Sequence, residues 1–307
     1  MERSCRTMQK LFCHIIAGDD QTVVSFFKQK VRCPRMSSNN SEYLLGANQS
    51  EFDRLQFQHS VWRSNTNAFF DRLGVGKGLH CLDVGAGPGF VSFELRDRVG
   101  ETGSVTALEP STMFLQWFEK HIVQKQWKNV YVLNGTAEDT ELPREQFDFI
   151  FVRWVIAFVA QPEKFLTQLL SALKPNGIIA IQDYYYEGLS VYPRGGAFDC
   201  MADVVRAYYH TAGGDPYITG KIPAWFKHYG LQTIDYSPHS YAGGPESPIM
   251  EWAHRFFSTH IQHMVEKQVV TQQKGDAMLA DWLEHRNNPD ALFFSPIVVD
   301  VAGRKNQ

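Results

Sequence analysis

No apolar run in this chain is long enough to cross a bilayer. The most hydrophobic stretch, residues 149–160, is interrupted by Arg153 and falls well short of the roughly 20 residues a span needs, so no membrane association is expected. Cysteine is scarce too. The five present, Cys5, Cys13, Cys33, Cys81 and Cys200, are an odd number with no C-x-x-C pair, which suggests neither a disulfide framework nor a zinc-type spacing. We expect no metal site and a reducing, cytoplasmic compartment. An excess of one charge is also lacking: 30 Lys+Arg against 33 Asp+Glu give a net charge of -3, so there is no polycationic surface for a phosphate backbone. Nucleic acid is not the expected partner. What remains, 44% hydrophobic and 21% charged over 307 residues, is ordinary globular composition and excludes collagen-like, fibrous and disordered chains.

Residues 1–40 differ from the rest. They carry three of the cysteines and a basic excess, leave through Ser37-Ser38-Asn39-Asn40, and have their apolar segments split by Asp19 and Asp20. They read as an extension, dispensable for chemistry and without the apolar core of a signal peptide. From residue 50 to 73, Phe52, Leu55, Phe57, Val61, Trp62, Phe69 and Phe70 recur at three- and four-residue steps, a helical spacing. Apolar, β-rich runs then alternate with helical segments. Residues 80–84, 104–109, 130–133, 147–152 and 178–183 have the continuous hydrophobicity of strands covered on both faces of a parallel sheet. Such alternation means βαβ units. Ser111 can cap one helix, Pro162 can open another, and Lys174-Pro175-Asn176-Gly177 can stop it. Beyond Asp183 the alternation lapses into a Tyr- and Gly-rich stretch, a strand at 231–236, a helical region at 248–286 and a closing strand at 297–301.

The segment from His80 through Leu82-Asp83-Val84-Gly85-Ala86-Gly87-Pro88-Gly89 to Phe90 is a strand entering a glycine turn and then a helix. Glycine serves where φ is unusual and where a ligand must approach the backbone. The pattern is G-x-G-x-G, with Phe90 where a dinucleotide fingerprint wants its last glycine. Asp83 two residues ahead repels a pyrophosphate and attracts a cation, which disfavours a nicotinamide oxidoreductase. Glu109 ends the second strand, twenty residues after Gly89, and a carboxylate there can accept both hydroxyls of a ribose.

Here the chain resembles the class I S-adenosylmethionine-dependent methyltransferases, across most of residues 41–304. The matching pieces are the glycine segment, Glu109-Pro110-Ser111-Thr112-Met113, Gly135-Thr136-Ala137-Glu138, Phe147-Asp148-Phe149-Ile150-Phe151-Val152 and Leu173-Lys174-Pro175-Asn176-Gly177. The resemblance implies an α/β fold, a Rossmann-like seven-stranded mostly parallel sheet with an antiparallel last strand, forming one domain over 41–304. Helical lid inserts would lie at about 184–230 and 248–288. It implies S-adenosyl-L-methionine as cofactor: Asp83 and the backbone of Gly85, Ala86, Gly87 and Gly89 facing its methionine part, Glu109 and Pro110 at the ribose, Met113 against the adenine, and Ala137 with Glu138 at the adenine edge. Arg153, with Trp154, would lie beside the methyl-transfer centre. Tyr43-Leu44-Leu45-Gly46, Arg54 and Gln58 look like the entry of a subgroup whose N-terminal helix covers the cofactor, with Arg54 pairing its carboxylate.

For the acceptor, Asp183-Tyr184-Tyr185-Tyr186 and the tyrosines and histidines downstream, among them His210 and His239, fall at the carboxyl edge where open α/β sheets bind ligands. A base is recognised by geometry, so no catalytic residue is assigned. No G-x-S-x-G elbow is present, which argues against a hydrolase. The expectation is methyl transfer to a small organic acceptor. A protein or RNA methyltransferase and a non-catalytic S-adenosylmethionine-binding scaffold are the alternatives, and nothing in the chain fixes an oligomeric state.

Overall fold

The computed structural model describes residues 49–307. The extension, Tyr43, Cys5, Cys13 and Cys33 lie outside the described residues. Among the described residues helix α1 (Gln49–Arg72) comes first, followed by β1 (His80–Val84), α2 (Phe90–Val99), β2 (Ser104–Glu109), α3 (Thr112–Lys125), β3 (Val130–Asn134), β4 (Phe147–Arg153), α4 (Pro162–Ala172) and β5 (Leu173–Tyr185). The alternating order expected from the hydrophobic runs is present. Ser111 caps α3 by accepting from the Phe114 N–H, and Pro162 opens α4 where its missing N–H costs nothing. Asn176 takes the positive φ after α4, and the chain enters β5 without an intervening loop.

The seven-stranded sheet has the order β3-β2-β1-β4-β5-β10-β7, where β7 is Leu231–His239 and β10 is Ile297–Lys305. Strands β1 to β5 pair in parallel, while β10 runs antiparallel to both β5 and β7. Both faces of the centre are covered. On one, Leu82, Val84, Ile150, Val152, Ile179 and Ile181 pack with Phe165 and Leu169 of α4. On the other, Cys81, Phe149, Phe151 and Ala180 meet Phe69 and Phe70 of α1 and Leu95 of α2. Strands β5, β7 and β10 run beyond the expected bounds because they pair with one another along their length, from Ile297 opposite Tyr185 to Arg304 opposite Ile178.

The expected inserts contain α5 (Met201–Thr211) and α6 (Ile222–His228) in the first, and α7 (Pro248–Glu266) and α8 (Gln272–Asn287) in the second. The single helical region expected over 248–286 is two helices, the second capped afresh by Thr271 accepting from the Lys274 N–H. A second sheet, unforeseen from the sequence, joins the inserts: β6 (Ser190–Tyr192), β9 (Leu292–Phe294) and β8 (Ala242–Gly243) in that order. Among the described residues no helix is long and apolar enough to cross a membrane.

Candidate functional site

Parallel register brings the ends of four strands into one row. Val84 lies beside Leu108 and Val152, and Glu109 beside Asn134. The turn after β1, the end of β2, the loop after β3 and Arg153 at the end of β4 therefore share one crevice at the carboxyl edge. Gly85, Gly87 and Gly89 all have positive φ, at 67°, 55° and 89°. The Gly85 and Ala86 N–H groups both donate to the Leu108 carbonyl, at 2.8 and 3.2 Å, which pins the turn against β2. Gly89 is the N-cap of α2 and supplies no side-chain cap, so the positive end of that helix dipole opens into the crevice.

The carboxylates are held in different ways. Glu109 is buried, and its Oε2 accepts from the Gly87 N–H and its Oε1 from the Ser111 N–H, each at 2.8 Å. Each oxygen retains a lone pair for a further donor. Burial raises the Glu109 pKa while the two N–H groups oppose that shift. Asp83 accepts from Ser92 Oγ at 2.6 Å, and burial pushes its pKa up to about 6, against the pull of Ser92 and of the Arg153 charge. Pro110 and Met113 are exposed at the rim, Ala137 is buried beneath the loop after β3, and Glu138 is partly buried in it.

Several sequence candidates are held by other groups of this chain. Arg54 is buried on α1, gripped by both oxygens of Glu51 at 2.7 Å and donating to Gln58 Oε1 at 3.0 Å. Gln58 Oε1 also accepts from Trp252 Nε1 of α7 at 3.0 Å. These two side chains tie α1 to the second insert. Asp183 is fully buried, with Oδ1 accepting from the Tyr184 N–H and Oδ2 from the Ala157 N–H. It clamps the loop after β4. His239 Nε2 lies 2.9 Å from Asp300 Oδ2, and His210 Nδ1 lies 3.1 Å from the Gly214 carbonyl.

Asp183→Asn should lower stability by about 1–3 kcal/mol, because an amide nitrogen would face one of the two backbone donors. Burial pushes the Asp183 pKa up to about 7, so the folded state binds this proton more tightly than the unfolded chain. Its contribution is full below about pH 4, the ordinary range of an unfolded Asp, and is lost as pH rises through 7. The variant's deficit in thermal unfolding should therefore be larger at pH 5 than at pH 8; an equal deficit at both pH values would remove the proton from this account.

Beyond β4 the chain turns at Trp154, whose φ of 54° is rare for a bulky side chain. Its indole stacks near Tyr184, centroids 6.0 Å apart. Behind Tyr184 lies a small cavity lined by Tyr184, Tyr186, Tyr209, Trp252, Phe257 and Phe293, among others. No charged side chain contributes to it. Tyr184 thus links the turn after β4 to a cavity of only about 20 Å³, part of whose lining (Trp252, Ala253, Phe256 and Phe257) comes from α7. Sequence reading missed the cavity's α7 and β9 members, because their spacing on a helix or in a three-residue strand is that of any core residue.

Residues 76–206 match the family model described as a methyltransferase domain. A demethylmenaquinone methyltransferase of Geobacillus sp. is 29% identical over 120 residues, covering 39% of this chain and 50% of that protein. The chain thus spans about half the length of this curated relative. Among solved structures, a Bacillus halodurans protein described as a putative methyltransferase is 17% identical, with a TM-score of 0.54, covering 78% of this chain and 99% of that one. A Haemonchus contortus phosphoethanolamine N-methyltransferase 2, solved with S-adenosyl-L-methionine, is 18% identical with a TM-score of 0.52, covering 80% of this chain and 53% of that one. At such identities the two structures speak for the fold, whereas the family match falls on the very strands that carry the glycine turn, Glu109 and Arg153. Residues 76–206 are therefore a methyltransferase domain.

Proposed function

We propose that the chain binds S-adenosyl-L-methionine in the crevice and passes its methyl group to a small aromatic acceptor. The observation that carries this reading is the Glu109 carboxylate, fixed by two backbone N–H groups at the end of β2 with acceptor capacity to spare for a pair of vicinal hydroxyls. The crevice suits the cofactor. At Gly85 and Gly89 a side chain would collide with Val155 and Phe118, and at Gly87 it would project into open space, so the turn keeps a bare backbone toward the crevice, and the exposed Met113 offers an apolar flank to the base. When bound, this cofactor supplies an electrophilic methyl group on a sulfonium.

The chain's own residues have the remaining tasks. Asp83 places negative charge near a cationic ligand. Trp154 and Tyr184 present ring faces that favour a cation and a flat acceptor. With Asp83 and the glycine turn placed to hold it, the cofactor would supply an electrophilic methyl carbon to the acceptor's nucleophilic atom, the carbon–sulfur electron pair staying on sulfur and any proton the acceptor carries leaving to bulk solvent after transfer. The curated relatives named for demethylmenaquinone support a small-molecule acceptor.

The test is incubation of the full chain with a metabolite extract and isotopically labelled methyl donor, followed by mass spectrometry. We expect label in a small aromatic product. Label in protein or RNA would overturn the acceptor class, and tight cofactor binding without any product would overturn catalysis in favour of a scaffold.

A further inference from the structure

The guanidinium of Arg153 stands apart from the other buried cation near the site. Nη1 donates to Thr66 Oγ1 at 3.2 Å, Nη2 lies 3.2 Å from His59 Nδ1, and the group sits 4.8 Å over the Trp154 ring. Among the described residues it makes no ion pair, whereas Arg54 is gripped by Glu51. Its supports are neutral acceptors that are themselves held. Thr66 donates to Gln182 Oε1 at 2.7 Å, and Gln182 Nε2 donates to Asn65 and Asp300 at 2.8 and 2.6 Å. The His59 ring, whose pKa burial lowers, can accept as a neutral imidazole. Burial opposes the Arg153 charge, and Asp83 and Glu94 favour it without a direct ion pair, so a carboxylate arriving within hydrogen-bond reach would supply the direct partner that the guanidinium lacks among the described residues.

Its position says which anion. Phe151 pairs with Asp83 across β4 and β1, so Arg153, two residues on, emerges on the same face of the sheet as Asp83. That is the face carrying α2, whose first turn has no side-chain cap. A cation, an anion and a bare helix N-terminus thus lie together where the glycine turn begins, a pattern complementary to an amino-acid zwitterion.

Resting on the cofactor reading above, we propose that Arg153, rather than Arg54, receives the α-carboxylate of the cofactor's methionine moiety. Arg54 then holds α1 to α7 through Gln58 and Trp252. The assignment makes Arg153 a determinant of selectivity for the amino-acid tail, since five N–H donors in a planar fork suit a carboxylate.

Calorimetric titration of the full chain with S-adenosylhomocysteine and with 5′-methylthioadenosine, which shares the nucleoside thioether but lacks the tail, tests this. Arg153→Gln should weaken S-adenosylhomocysteine by about tenfold or more and leave 5′-methylthioadenosine within about twofold, which also shows that the variant's site is folded. Arg153→Lys, retaining charge without the fork, should recover part of the loss. Glu109→Ala should weaken both ligands together. Equal losses of the two ligands in Arg153→Gln, or none, would overturn the carboxylate role alone; a wild-type chain that binds neither would overturn the cofactor reading and this proposal with it.

Discussion

Gly85→Ala should all but remove cofactor binding while the chain still folds. The residue has a φ of 67°, a left-handed conformation that costs an L side chain roughly 1–2 kcal/mol. Its new Cβ would stand 2.3 Å from Val155 Cγ2. Valine is branched at Cβ and has little rotameric freedom to retreat, so one of two segments must move: the turn between β1 and α2, or the loop clamped by Asp183. Overpacking of this kind costs about 1–3 kcal/mol more. The Gly85 and Ala86 N–H bonds to Leu108 hold the turn against β2, and a displaced turn carries the Gly87 N–H away from Glu109. We expect a drop in thermal midpoint together with a loss of S-adenosylhomocysteine affinity beyond tenfold by calorimetry. A well-folded variant with wild-type affinity would mean that the ligand does not lie over this turn.

Glu109→Ala should weaken the same ligand by about tenfold or more, the loss of hydrogen bonds to a charged acceptor being worth about 1.5–3 kcal/mol. Glu109→Gln is the sharper experiment. Both carboxylate oxygens accept a backbone N–H, and an amide offers one acceptor and one donor. In either orientation its NH2 would face the Gly87 or the Ser111 N–H. The glutamine variant should therefore lose nearly as much affinity as the alanine one, although it keeps the shape of the side chain. If Gln retains full affinity, the ribose is gripped elsewhere.

Much of this site was legible because its parts lie on short segments with strong local constraints. The glycine turn needs positive φ at three positions, Glu109 is placed by the length of one βα step, and the buried parallel strands announce themselves by continuous hydrophobicity. Arg54 shows the limit. On sequence it is a cation on a helix entering the cofactor region, and only packing shows that Glu51, three residues earlier, already matches its charge. Asp183 is a second case, since a carboxylate at a strand end reads equally as a base or as an acceptor for backbone N–H groups. The three-stranded second sheet could not be read because strands of two and three residues carry no periodicity.

Alone, the sequence determined the alternation of buried strands and helices, the glycine turn and the acid at the second strand's end, because each depends on backbone conformation or on neighbours a few residues away. The tertiary structure decided which cation is left without an ion-pair partner among the described residues, which acids are consumed in holding loops, and that two inserts distant in the chain meet around a small aromatic-lined cavity. Those outcomes depend on contacts between residues that are far apart in sequence, as Gln58 is from Trp252 and Thr66 from Gln182, and such contacts exist only once the chain has closed on itself.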